Sequence, residues 1–113
     1  MDIEDLKTVG IDGPKDGKLI IDVYTVWCGP CKIIAPILHK LRDEGLIQLL
    51  QVDLDQNRPL QEIFRINSIP TLLFFKEGKL LEKKIEVGQA LVQNGMLVGS
   101  WGEAVLREII NQM

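Results

Sequence analysis

Leu19-Ile20-Ile21-Asp22-Val23-Tyr24-Thr25-Val26-Trp27-Cys28-Gly29-Pro30-Cys31-Lys32 is the stretch on which the fold turns. Leu19 to Val26 is mostly apolar on both faces of a pleat, as expected of a buried central strand. From Pro30 to Glu44 the period changes, and Ile33, Ile34, Ile37, Leu38 and Leu41 form one helical stripe. The junction carries Cys28 and Cys31, the only two cysteines of the chain. Two thiols separated by two residues can close a small ring on themselves. A helix N-terminus supplies unpaired N–H groups and partial positive charge, which favour a thiolate over a thiol. A Cys-x-x-Cys between a strand and a helix therefore reads as a dithiol redox site. The alternative is half of a zinc site. Zinc usually takes four N or S ligands, and with one histidine and no second cysteine pair a partner chain would have to supply the rest.

Working outward, Ile3, Leu6 and Val9 predict a short N-terminal helix with Asp2 as its cap. Asp12-Gly13-Pro14-Lys15-Asp16-Gly17 is turn chemistry that ends it. Pro36 lacks an N–H and is expected to kink the long helix, which Gly45 then terminates. Ile47 to Leu54 predicts a second buried strand. Asn57 caps a short helix with Leu60, Ile63 and Phe64 inward. Thr71 to Phe75 is a third strand, followed by the turn Lys76-Glu77-Gly78-Lys79. Leu81, Ile85 and Val87 alternate with Glu82, Lys84 and Glu86, predicting a half-exposed strand. Ser100-Trp101-Gly102-Glu103 has the form of a capping box, and the helix after it buries Val105, Leu106, Ile109 and Ile110. The order βαβα, then a β-hairpin, then a helix predicts a mixed α/β sheet with helices on both faces.

Composition narrows the function classes. With 113 residues the chain is expected to be one domain, 1–113, and 46% hydrophobic residues argue against disorder. Thirteen Lys and Arg against sixteen Asp and Glu give a net charge of -3, which disfavours a nucleic-acid partner. No apolar run is long enough to span a bilayer, so no membrane role is expected. The acidic Met1-Asp2-Ile3-Glu4-Asp5-Leu6 does not read as a signal peptide. A cytoplasmic location is the expectation, and in a reducing compartment a lone Cys-x-x-Cys reads as catalytic rather than structural.

Six motifs in order carry a resemblance: Asp22-x-x-x-x-Trp27-Cys28-Gly29-Pro30-Cys31-Lys32, Ala35-Pro36, Asp53-Leu54-Asp55, Ile69-Pro70-Thr71, Phe75-Lys76-x-Gly78 and Val87-Gly88. Together they resemble the thioredoxin family from about residue 17 to residue 88. The resemblance implies a thioredoxin-like fold with a mixed sheet of four to five strands, because the first strand of many members has no counterpart here. Two more departures stand out. Gln51 sits where the family commonly has a lysine near its buried aspartate. Gln89 to Gly99 adds residues where the family usually turns quickly into its last helix; these are expected to pack on the core, or else to flank the substrate groove or a dimer contact.

A protein-disulfide reductase is the implied activity, with Gly29-Pro30 pointing to a reductant. Cys28, beginning the helix with its sulfur toward solvent, is the expected nucleophile, and Cys31 the resolving thiol. The resemblance makes Asp22 the acid/base for Cys31. Read from residues alone, Asp22 is an outward-facing strand residue or a buried carboxyl with a raised pKa. Read alone, Pro70 starts a strand; through the resemblance it is a cis-proline beside the disulfide, leaving the Ile69 backbone to pair with an extended peptide. Gly29, Pro30, Ile69, Pro70, Val87 and Gly88 form the implied docking surface, and Trp27 shields the site. Tyr24 is expected in the core, Lys32 near the sulfurs or solvated, and His39 at the surface far from the cysteines. Implied partners are disulfide-containing proteins and, as electron donor, a thioredoxin reductase, with no bound cofactor. Alternatives of other kinds are a disulfide isomerase or oxidase, and a module that uses its groove only to bind.

Overall fold

The computed structural model describes residues 1–113. Strand β1 (Lys18–Tyr24) lies at the centre, parallel to β2 (Gln48–Asp53) on one side and antiparallel to β3 (Thr71–Lys76) on the other. Helix α1 (Gly29–Asp43) connects β1 to β2, and α2 (Arg58–Phe64) lies between β2 and β3. The outer edge of β3 is shared by two short strands. β4 (Lys79–Leu80) pairs with Phe75 and Lys76, while β7 (Met96–Val98) pairs with Thr71 to Leu73. Between them, β5 (Ile85–Val87) and β6 (Ala90–Val92) make a separate two-stranded hairpin. Helix α3 (Glu103–Gln112) closes the chain. The mixed sheet with helices on both faces is thus present, with five strands where four to five were expected and one hairpin more than the patterning implied.

Each face of the sheet has its own core. On one, Ile20, Leu72 and Phe74 meet Ile34, Leu38 and Leu41 of α1 and Leu106, Ile109 and Ile110 of α3. On the other, Leu19, Ile21, Val23, Leu73 and Phe75 meet Ile3, Leu6, Leu60, Phe64 and Ile66. The strict alternation of these two sets along β1 is what a central strand covered on both sides requires.

Several local expectations change. β2 is an edge strand and only half-buried, because nothing pairs beyond it. The N-terminal segment Ile3–Val9 is a 3-10 helix, with the Asp2 N–H donating to Asp5 Oδ2 at 3.0 Å. The chain start lies along β4: Leu80 N–H donates to Met1 O and Ile3 N–H to Gly78 O. α1 continues through Pro36, and Ile33, placed on its inner stripe, is 67% exposed near the helix start. Ile63 of α2 also faces out. The half-exposed alternation expected over Leu81 to Val87 holds, with Leu81 and Ile85 inward and Glu82, Lys84 and Glu86 outward, but only Ile85–Val87 forms a strand and residues 81–84 belong to none. The Ser100 capping box does not form. Trp101 Nε1 donates to Val98 O at 2.9 Å, and α3 starts only after Gly102. Glu103 instead bonds Lys40 of α1 and Arg107, which also grips Glu44.

The far end of α3 has no basic residue of its own, yet Lys18, Lys76 and Lys83 donate to the carbonyls of Ile110, Met113 and Gln112. Positive groups from three separate segments thus neutralise the helix's negative end.

Residues 89–99 do pack on the core, as the first of the expectations for them had it: Ala90, Val92 and Leu97 are buried, while Leu91 points outward. Leu97→Ala should therefore lower the unfolding free energy by about 2–5 kcal/mol, and Leu91→Ala by under about 0.5 kcal/mol. Urea titration of the two variants measures the contrast; equal losses would mean that the hairpin face is assigned wrongly.

Candidate active site

Cys28 is the N-cap of α1, and its Sγ accepts a hydrogen bond from the Cys31 backbone N–H at 3.2 Å. Pro30 lies in the first turn, where the missing N–H costs no helix bond. That turn contains no acidic side chain, so nothing there opposes negative charge on sulfur. Cys28 and Cys31 are joined as a disulfide with their Cα atoms 5.3 Å apart. Both are nearly covered in this state, at 4% and 3% exposure. The expectation of an outward sulfur is met only in part, since the opening at Cys28 is narrow. Its neighbours Trp27, Gly29 and Pro30 are exposed. Trp27 Nε1 donates to Asp55 Oδ2 at 2.9 Å, tying the loop before α1 to the turn after β2.

Asp22 points to the α1 side of the sheet and is fully buried. Its Oδ1 has no hydrogen-bond partner, and its Oδ2 accepts from Gln51 Nε2 at 3.1 Å. Burial pushes its pKa up; the Gln51 amide, and more weakly the nearby His39, pull the other way. Asp22 and Cys31 line one cavity of about 340 Å³, together with Tyr24, Thr25, Lys32 and Gln51. Tyr24 is half-buried in its wall rather than in the core. A carboxyl and the inner cysteine thus line the same space.

The Ile69–Pro70 peptide is cis and Pro70 is buried, while Ile69 lines a pocket together with Trp27. Thr71 Oγ1 donates to Ser68 O at 2.6 Å and braces this loop. The strand that flanks Pro70 is not the one that carries Val87. Val87 ends β5, paired with Ala90, and Gly88 begins the turn of the β5–β6 hairpin. The backbone beside Pro70 belongs to a second Val-Gly pair: Val98 is paired with Thr71, and Gly99 N–H donates to Pro70 O at 2.9 Å. Val98 is 50% exposed there. Motif spacing selected the first pair because the extra residues lie before this strand and not after it. The repeated dipeptide was the signal that both pairs had to be considered.

His39 also differs from its reading as an isolated surface residue. It is half-buried, and its Nε2 lies 3.0 Å from Gln51 Oε1.

Comparison with known proteins agrees with this geometry. A family model described as thioredoxin matches residues 10–96. A thioredoxin from Mycoplasmoides gallisepticum is 41% identical over 69 residues, covering 60% of this chain and 69% of that protein. One from Chlamydia trachomatis is 39% identical over 75 residues, covering 66% and 74%. Among solved structures, a thioredoxin variant from Halobacterium salinarum superposes with a TM-score of 0.70 at 25% identity, covering 96% of this chain and 82% of that one. The thioredoxin of Fasciola hepatica gives 0.68 at 26% identity, covering 96% and 88%. Family match, fold and the Cys28–Cys31 pair at a helix start lead to one conclusion: the chain belongs to the thioredoxin family and is a thiol-disulfide oxidoreductase of the protein-disulfide reductase type.

Proposed function

We propose that Cys28 is the attacking thiol, Cys31 the resolving thiol and Asp22 the acid/base between them. The observation that carries this is the shared cavity of Asp22 and Cys31 beneath a helix start that Cys28 caps. In the dithiol form the Cys28 thiolate, favoured by the helix N–H groups, attacks one sulfur of a substrate disulfide. The substrate S–S bond breaks, a Cys28 mixed disulfide forms, and one substrate thiolate leaves. Cys31 then passes its proton to the Asp22 carboxylate and attacks Cys28 Sγ. The internal disulfide forms and the second substrate thiolate departs, so two electrons have moved to the substrate. Asp22 is suited to this because burial raises its pKa above the ordinary carboxylate range, which makes it a stronger base than an exposed carboxylate. A thioredoxin reductase restores the dithiol, in a reducing compartment such as the cytoplasm.

The substrate docks along Trp27, Gly29, Pro30, Ile69 and Pro70, with Val98 and Gly99 completing the edge. An extended peptide would pair with the Ile69 backbone.

In a turbidimetric insulin assay with dithiothreitol, Cys28→Ser should fall to the uncatalysed rate. Cys31→Ser should retain substrate proteins as mixed disulfides on non-reducing gels. The opposite assignment of the two variants would overturn the roles.

Val98→Glu should raise KM for a protein disulfide about tenfold, the scale of one lost apolar anchor. It should leave the reaction with a small aromatic disulfide unchanged, while Leu91→Glu on the hairpin alters neither. A larger effect from Leu91→Glu would place docking on the hairpin instead.

Asp22→Asn should slow the resolving step and stabilise the protein at neutral pH. The folded carboxyl has a raised pKa, so the folded state holds its proton longer than the unfolded chain. Wild-type stability therefore declines as pH rises from the ordinary carboxylate range through the folded value, then levels off. The advantage of Asp22→Asn should vanish below that window and be full above it, as urea unfolding across pH would record. An advantage independent of pH would contradict the buried-charge account.

A further inference from the structure

Asp22 does not stop at Gln51. In the parallel ladder of β1 and β2, Asp22 and Gln51 are direct neighbours and so project to the same face. The Gln51 amide uses both ends: Nε2 donates to Asp22 Oδ2 at 3.1 Å, and Oε1 meets His39 Nε2 at 3.0 Å. His39 lies two turns beyond Cys31 on α1, the helix that begins at the reactive pair. We propose that His39 is a positioning residue for the resolving step, orienting the Gln51 amide toward Asp22 from the outer end of that arm.

An imidazole bearing hydrogen on Nε2 can donate to the amide oxygen but cannot accept there. That contact decides which end of the Gln51 amide faces the carboxylate. Reversed, the amide oxygen would face a carboxylate oxygen, and Asp22 would lose its one hydrogen-bond donor. Imidazole can also carry a positive charge. Neutral, it still holds the amide in place. Protonated, it adds positive charge that favours the Asp22 carboxylate and so keeps the base ionised to lower pH.

Other charged and titratable groups lie in the Asp22 cavity itself or are paired elsewhere. Tyr24, Cys31 and Lys32 line the cavity. On α1, Lys40 bonds Glu103 of α3, Asp43 pairs with Arg42, and Glu44 holds Arg107 of α3. On β2, Asp53 caps its own turn.

This inference rests on the proposed base role of Asp22, and the experiment separates the two. Reduced protein is mixed with 5,5′-dithiobis(2-nitrobenzoate). Cys28 captures one thionitrobenzoate, and displacement of that group by Cys31 is the resolving step, read as the second release of yellow thiolate. Its rate is recorded by stopped flow from pH 5 to 8. His39→Gln keeps a donor for Gln51 without charge, and His39→Leu removes both. The acid limb should move to higher pH in His39→Gln and further in His39→Leu. At pH 6 the rate should drop about two- to tenfold, the factor that a single net hydrogen bond carries. Asp22→Asn should abolish the limb. If the limb survives in Asp22→Asn, the base role and this inference both fall. If it disappears there but is unshifted in both His39 variants, only the role of His39 is overturned. His39→Gln decides the matter even if His39→Leu folds poorly.

Discussion

A sulfur atom caps the helix that its own segment begins, and the rest of the reactive centre is arranged around that contact. Cys28 occupies the position that a serine or aspartate usually takes, and the N–H of Cys31 bonds to it. A cap made of sulfur is weak as a structural device. It nevertheless keeps the reactive atom within the positive field of the helix start. The position is held from behind: β1 is paired on both edges and covered on both faces, so the end of the strand has little freedom. α1 is held in turn by Ile34, Leu38 and Leu41 packed on that sheet.

The loops that carry Trp27, Pro70 and Gly99 are each anchored by their own bond. The Trp27 indole reaches Asp55 after β2, Thr71 braces the turn at Pro70, and Gly99 ties β7 to Pro70. The residues proposed for docking and the cysteines are thereby supported from different parts of the chain. Asp22 and Cys31 line a cavity to which neither Trp27 nor Ile69 contributes.

Much of this could be read from residues. The two faces of β1, the helical stripe of Ile34, Leu38 and Leu41, the Asn57 cap and the Cys pair at a helix start all depend on neighbours within a few positions. Local patterning reports such features well. The burial of Asp22 was open on those grounds, since only its surroundings distinguish a buried carboxyl from an outward one. What could not be read depends on pairing between distant strands. Val87-Gly88 and Val98-Gly99 are the same dipeptide, and only the register of β7 on β3 tells which one lies beside Pro70. β2 looked buried because its apolar residues serve the sheet faces, while its free edge leaves no trace in composition. His39 carried no local sign either, as its partner comes from another element. Ser100 failed as a cap because a tryptophan two positions before the helix bonded back to β7 first.

The shared edge of β3 has one more implication. β4 and β7 each hold a different part of that edge, and the β5–β6 hairpin hangs between them without a place in the main sheet. Such an arrangement separates length from chemistry. Evolution can lengthen, shorten or exchange the hanging segment while the strand next to the reactive bond keeps its register, provided that the apolar cover over α3 is replaced. Members of this lineage would then diverge most in size at that one place, with their redox centres nearly superimposable.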